Sequence, residues 1–219
     1  MQLIGMLDSP YVRRVAISLQ LLGLPFEHRS VSVFRQFDEF SRINPVVKAP
    51  TLVADDGAVL MDSTLILDYA EALAANRAGG ASRRSLMPAN LAERQHALQL
   101  IGLALAACEK SVQIIYEHSL RPAEKRHAPW LSRVHGQLAA ALAALDAAIA
   151  KQPLACTSAE IDQAGVICAV AWHFISQSQT LSGDVAPTAY PALVAHTLRA
   201  ELLPEFIRAP HGDTTVAPR

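Results

Sequence analysis

Apolar positions change their period several times over the first 75 residues and then hold a helical period from about residue 88 to 205. Residues 2–7 read as a buried first strand. Asp8-Ser9-Pro10 opens a helix, with Ser9 as N-cap and Pro10 at the first helical position. Val12, Val15, Ala16 and Leu19 recur at helical spacing, and Gly23 is the stop. Residues 26–33 suit a second strand, laid parallel to the first by the intervening helix. A short helix over 38–43 follows, then two short strands, 51–54 and 58–61, joined by Asp55-Asp56-Gly57 as an antiparallel hairpin. Ser63 is expected to cap a helix over 64–75 with Leu65, Ile66, Tyr69, Ala70 and Leu73 on its apolar side.

The order β-α-β-α-β-β-α is that of a thioredoxin-like domain. The remainder, rich in Ala and Leu, predicts helices near 90–118, 130–151, 158–176 and 190–201. Thr157-Ser158-Ala159-Glu160 reads as a capping box ahead of the third of these, and the small residues at 164, 165, 169 and 171 suit close packing at a bundle centre. The fold class is therefore an α/β thioredoxin-like N-terminal domain plus an all-α helical-bundle C-terminal domain. The expected division is 1–76 for the first, a glycine- and charge-rich linker over 77–88, and 89–219 for the helical domain with its C-terminal tail.

Composition narrows the function classes. The chain has 219 residues, is 51% hydrophobic and carries a net charge of −1, which argues against disorder and against a basic nucleic-acid surface. Met1-Gln2-Leu3-Ile4-Gly5 has no basic leader, and the apolar runs read as too short to cross a bilayer, the longest being 164–175. Cys108, Cys156 and Cys168 form no close motif, and the eight histidines show no ligand spacing, with His118, His127 and His135 read as surface residues. The expectation is a soluble cytoplasmic protein without a metal, a nucleic-acid partner or a membrane partner.

Two stretches carry candidate chemistry. Residues 44–63, NPVVKAPTLVADDGAVLMDS, place Pro50 immediately before a strand. A cis bond at Ala49–Pro50 would turn the Ala49 backbone outward, so that a small peptide adds there like another strand. Ser9 either caps its helix and no more, or offers its hydroxyl to an anion where the helix N-terminus adds positive potential. Ser63, beside Asp62, has the same two readings, and Lys48 is either a solvated loop lysine or a contact to an anion.

Taken together, these pieces resemble the glutathione S-transferase superfamily over nearly the whole chain. Ser9-Pro10-Tyr11-Val12-Arg13-Arg14 is similar to the active-site turn of serine-type bacterial members, and Asn44 to Leu52 to the pattern N-P-x-G-K-V-P-x-L. Asp62-Ser63 stands where the family usually has Glu-Ser or Gln-Ser, Leu86-Met87-Pro88 at the usual entry to the helical domain, and Tyr190-Pro191-Ala192-Leu193 at the usual late helix. Val47 departs from the common glycine, Asp62 is one methylene shorter than Glu, and Ala159 stands where S/T-x-x-D would put a hydroxyl three residues before Asp162.

The resemblance implies a glutathione transferase acting in detoxification, with glutathione as co-substrate, a small, partly apolar electrophile as partner, and a homodimer. It assigns Ser9 to catalysis and Val47, Lys48, Ala49, Pro50, Asp62 and Ser63 to glutathione. Tyr11, Phe34, Phe37, Tyr116 and Trp172 are the aromatic candidates for the second-substrate pocket, each weighed against a simple core or interface role, and Arg14 is expected to be a structural ion-pair partner. A free thiol of pKa ~8.5 is only about 3% ionised at pH 7, and lowering it by about two units requires roughly 2.7 kcal/mol. One hydrogen bond to a charged acceptor supplies about 1.5–3 kcal/mol, so Ser9 with the helix end suffices. The absence of cysteine from Ser9-Pro10-Tyr11-Val12 disfavours thiol–disulfide exchange there, and the absence of S-S-C-x-x-R lowers maleylacetoacetate isomerase chemistry. The alternative function is a non-catalytic binding or regulatory member, as stringent-starvation-type relatives are.

Overall fold

The computed structural model describes residues 1–77, 84–179 and 185–217. They form two compact units: Met1–Met87 with Leu202–Arg219, and Pro88–Glu201. Most of the expected linker, residues 78–83, lies outside the described residues.

The first unit is built on β1 (Gln2–Ile4), α1 (Pro10–Leu21), β2 (Glu27–Arg29), α2 (Phe37–Ile43), β3 (Thr51–Val53), β4 (Val59–Met61) and α3 (Ser63–Arg77). The sheet order is β2-β1-β3-β4, with β1 and β2 parallel and the other pairs antiparallel. Both of the first two strands are shorter than their apolar runs. Gly5, at φ 135°, turns the chain away after Ile4, and β2 ends at Arg29, the residue that faces Ile4 across the parallel pair. Ile4 packs with Val31 and Phe40, so α2 covers that face of the sheet. Leu3 and its cross-strand partner Leu52 point to the other face by strand alternation, where α1 and α3 pair.

The first unit corrects the expectations in two places. The buried stripe of α3 is Ile66, Leu67, Ala70 and Ala74, while Leu65 is 65% exposed and Tyr69 lies at the surface. Its cap is Asp62 rather than Ser63: the Asp62 carboxylate accepts from the Thr64 N–H at 2.9 Å, and its carbonyl from the Ile66 N–H at 3.0 Å. In addition, β3 is an interior strand, flanked by β1 and β4, so no open edge remains along Thr51–Val53. Ala49 and Pro50, the two residues before it, lie beyond that pairing.

The second unit holds α4 (Leu91–Ser119), α5 (Ala128–Lys151), α6 (Gln163–Gln179) and α7 (Pro191–Ala200). Helix α4, at 29 residues with a window of mean hydropathy 1.4, is long and apolar enough to cross a bilayer, which the apolar runs did not suggest. Its buried positions, among them Leu100, Ala104, Ala107, Cys108 and Ile114, are those of a bundle helix packed on α5 and α6. Helix α6 starts five residues later than expected. Thr157 bonds Glu160 side chain to side chain at 2.9 Å, but this only closes a preceding turn, and the cap is Asp162, which accepts from the Gly165 N–H at 2.8 Å. The delay fits Ile161, whose side chain lies over Gly165 where a Cβ would come within 2.8 Å of it.

The C-terminal segment does not belong to the helical unit. From Leu202 it joins the first unit through α8 (Pro204–Ile207) and the chain beyond it. Arg13, buried on α1, donates to the Ala209 carbonyl at 2.8 Å and lies 5.7 Å from the Phe206 ring centre. The Gln20 amide donates to the Glu205 carbonyl at 3.0 Å and accepts from Arg208 at 2.8 Å. These are polar contacts made by helix residues far away in sequence, which apolar periodicity does not register.

His28 and His196 are buried, and burial pushes both pKa values below the ordinary histidine value. His28 donates from Nε2 to the Gly5 carbonyl at 2.8 Å and accepts at Nδ1 from the Val216 N–H at 3.1 Å, which requires the neutral ring. His196 makes the corresponding Nε2 bond to the Gly165 carbonyl at 2.9 Å. Because the folded values are depressed, the unfolded chain takes up protons first as pH falls. The stabilisation is full above about pH 6.5 and is lost progressively below it. We expect the urea midpoint to decline from pH 7 towards about 5, and a His28→Gln/His196→Gln variant to show a flatter profile over that window.

Candidate functional site

In the first unit, three loops and the helices they enter bring the candidate ligand residues into one neighbourhood. Ser9, at φ −73° and ψ 122°, is the N-cap of α1, and its Oγ accepts from the Val12 N–H at 3.4 Å. That bond uses a lone pair of the hydroxyl and leaves its proton to donate elsewhere. Ser9 is half-buried and its own N–H donates to the Met6 carbonyl at 3.2 Å, which fixes the turn. Asp8, just before it, has a carboxyl pushed up by desolvation despite an exposed residue surface, and Asp213 pushes in the same direction.

The loop before β3 is organised by Asn44, a residue that the sequence marked only as part of a pattern. It is 3% exposed. Its amide donates to Thr51 Oγ1 at 2.9 Å, its carbonyl oxygen accepts from the Val46 N–H at 3.0 Å, and Thr51 Oγ1 donates to the Lys48 carbonyl at 2.7 Å. The Ala49–Pro50 bond is cis. Ala49 is half-buried and Pro50 buried, and the loop lies against Gly5, where a Cβ would stand 3.1 Å from that of Ala49.

Two of the three departures from the family pattern sit in left-handed backbone: Val47 at φ 52° and Asp62 at φ 71°. Aspartate tolerates this region, whereas a β-branched residue is an outlier there. Val47 packs against the Ile4–Val31–Phe40 cluster, which accounts for an apolar side chain at the position. Lys48 and Asp62 pair with each other, Nζ to Oδ2 at 3.7 Å, with both side chains about half exposed. Such a surface pair is worth roughly 0–1 kcal/mol, so a ligand opens it at little cost.

Ser63, 3% exposed, begins α3, and Arg14 donates to its Oγ at 3.4 Å. Arg14 is itself 2% exposed. The buried guanidinium therefore ties the helix headed by Ser9 to the start of α3. The expected structural role of Arg14 as an ion-pair partner thus includes a hydrogen bond to a hydroxyl 49 residues away, a partner that local pattern does not reveal.

The aromatic candidates divide between the units. In the first, Tyr11 is half-buried and Phe34 and Phe37 are exposed at 57% and 56%. In the second, Tyr116 is exposed on α4, but Trp172 is 5% exposed and packs edge-to-face on Tyr190 at 5.6 Å, the placement of a core residue. His118 and His127 are exposed and His135 is half-buried, and no cluster of metal-ligating side chains occurs among the described residues.

With this geometry in place, the comparisons with known proteins are specific. Residues 3–78 match the family model of the glutathione S-transferase N-terminal domain, and the chain as a whole has the glutathione S-transferase fold. The uncharacterised GST-like protein YibF of Escherichia coli is 24% identical over 172 residues, which covers 78% of this chain and 81% of that protein. A solved glutathione S-transferase of Methylobacterium radiotolerans, in complex with glutathione sulfonate, superposes with a TM-score of 0.83 at 23% identity, over 100% of this chain and 98% of its own. A glutathione transferase family member of Pseudomonas fluorescens with bound glutathione reaches 0.77 at 27% identity, over 94% and 96%.

The hydrogen bonds around Asn44 give this part of the site a direct test. Asn44→Ala leaves the Val46 N–H without its acceptor and removes the donor to Thr51 Oγ1, which keeps its bond to the Lys48 carbonyl. We expect it to cost about 2–3 kcal/mol in denaturant unfolding, with Asp38→Ala, exposed on α2, as a control within about 0.5 kcal/mol.

Proposed function

We propose that this protein is a serine-type glutathione transferase, in which Ser9 stabilises the thiolate of bound glutathione for attack on a small, partly apolar electrophile. The observation that carries the reading is the Ser9 hydroxyl at the head of α1, engaged among the described residues through its oxygen, by the Val12 N–H at 3.4 Å. Its proton is available to a sulfur while the helix N-terminus adds positive potential. In this reading Val47, Lys48, Ala49 and Pro50 hold the cysteinyl–glycine end of the tripeptide, and Asp62 and Ser63 its γ-glutamyl end. Glutathione complexes of proteins with this fold support the ligand. Tyr11, Phe34 and Phe37 supply apolar surface for the electrophile. The reading also includes a cytoplasmic location and a role in detoxification.

A second reading, a glutathione-binding module without turnover, has one observation in its favour. The Lys48–Asp62 pair satisfies the two charged residues of the grip with each other.

Ser9→Ala separates the two. For the transferase, the thiol pKa of bound glutathione, followed by ultraviolet absorbance, rises by about one to two units. Turnover of chlorodinitrobenzene then falls about ten- to a hundredfold while glutathione affinity in isothermal titration stays within a few fold. Binding by the wild-type protein with no thiol addition to any electrophile would establish the module instead. Equal turnover by both proteins would remove Ser9 from the chemistry.

The homodimer is supported by an apolar surface on β4 and α3. Val59 and Met61 are exposed at 46% and 38%, and Leu65 and Tyr69, one helical turn apart, at 65% and 36%. We expect sedimentation equilibrium to give a dimer for the wild-type chain and a monomer for Leu65→Glu/Tyr69→Glu. A wild-type monomer at micromolar concentration would refute the assembly.

A further inference from the structure

Arg35 stands on the segment between β2 and α2, beside Phe34, with its side chain 63% exposed. Its backbone is held: the Phe34 and Arg35 N–H groups donate to Ser32 Oγ at 3.2 and 3.1 Å, and the Ser32 N–H donates to the Gln36 side chain at 3.0 Å. The guanidinium reaches the turn that carries Ser9. Nη2 lies 3.5 Å from Met6 Sδ, and Met6 is the residue whose carbonyl receives the Ser9 N–H. Its charge is felt at Asp8, next to Ser9.

A carboxylate from the end of the chain already occupies this cation. Asp213 Oδ2 accepts from Arg35 Nη2 at 2.5 Å, and its Oδ1 from Ser30 Oγ at 3.1 Å. The segment that presents Asp213 is anchored independently of Arg35. On one side, Arg13 donates to the Ala209 carbonyl at 2.8 Å. On the other, the Val216 N–H donates to His28 at 3.1 Å and the Ala217 N–H to the Arg208 carbonyl at 2.9 Å. Removing the Arg35–Asp213 pair therefore leaves the segment tied down.

We propose that Arg35 selects second substrates that carry a carboxylate, and that Asp213 is the internal carboxylate such a substrate displaces. The inference rests on the transferase reading above and names the class of electrophile for it: an apolar body that bears an acid, the body against Tyr11 and Phe34 and the acid on Arg35. The pair between Arg35 and Asp213 is exposed on both sides, at 63% and 55%, so exchanging one carboxylate for another costs little. An apolar electrophile without the acid leaves the pair closed and gains nothing from it.

Isothermal titration of the full chain with glutathione, S-propylglutathione and S-(2-carboxyethyl)glutathione tests this without relying on turnover. The wild-type protein is expected to prefer the carboxyethyl conjugate by about fivefold over the propyl conjugate, the scale of an exposed ion pair. Arg35→Met abolishes that preference and leaves the glutathione and S-propyl affinities within twofold. Arg35→Lys, which keeps the charge but loses the fork, retains part of it. Asp213→Asn raises the preference a further threefold or so. If Arg35→Met weakens glutathione and both conjugates by one common factor, Arg35 serves a carboxylate of glutathione itself and the proposal is overturned. If the wild-type protein binds the two conjugates equally, the proposal fails while the transferase reading stands. If it binds none of the three, both fail together.

Discussion

The candidate site depends on the absence of a side chain at Gly5. This residue ends β1 at φ 135°, and a Cβ there would come within 2.7 Å of a Val12 methyl and 3.1 Å of the Ala49 Cβ. Val12 stands in the first turn of the helix that Ser9 caps, and Ala49 precedes the cis proline. The Gly5 N–H donates to the Arg29 carbonyl at 3.1 Å, and its carbonyl accepts from His28 at 2.8 Å. One residue thus holds β1, β2, α1 and the loop before β3 at van der Waals distance. Any alanine there must both adopt a backbone conformation that L side chains avoid and displace atoms on two sides.

From this point the two proposed tasks diverge along the chain. The thiol is handled at the head of α1, where a hydroxyl, a helix end and the buried arginines 13 and 14 concentrate donors and positive charge. The tripeptide backbone is handled by the loop that Asn44 braces and by the start of α3. Arg14 is the physical link between them, since it leaves from the helix of the first and donates to Ser63 in the second. The C-terminal segment adds a third wall to the same unit through Arg13, His28 and Arg35, so this unit is completed by residues more than 170 positions away in sequence.

What was legible in the sequence follows from which interactions are local. The element order, the Ser9 cap and the proline before β3 could all be read, because a cap, a proline and a strand alternation each express themselves within a few residues. The α3 stripe was misread because Leu65 and Tyr69 are apolar yet exposed, and a pattern reports apolarity rather than what covers it. The caps of α3 and α6 were shifted for a related reason. Asp62 and Ser63 are both good caps, as are Thr157 and Asp162, and the backbone chose between them. The placement of the tail, the brace at Asn44 and the Arg14–Ser63 bond rest on polar contacts across long separations, which leave no periodic trace.

The two departures from the family pattern that lie at the candidate site bear differently on binding. Asp62 at φ 71° keeps its place because aspartate tolerates left-handed backbone and its carboxylate caps α3 from there. Val47 at φ 52° has no such exemption and costs about 1–2 kcal/mol of backbone energy relative to glycine. Burying part of an apolar side chain returns up to about 1.5 kcal/mol, and Val47 lies on the cluster of Ile4, Val31 and Phe40. The two terms are of equal size, so the valine is held by its packing and the loop keeps the turn that glycine would take freely. The substitution therefore changes how the loop is stabilised without requiring a change in what its backbone presents to a ligand. In the proposed grip, glutathione meets the Lys48–Asp62 pair, and an exposed pair at 3.7 Å is a small obstacle. In the proposed reading the decisive chemistry then lies at the Ser9 hydroxyl, where a single proton separates a protein that binds the thiol from one that ionises it.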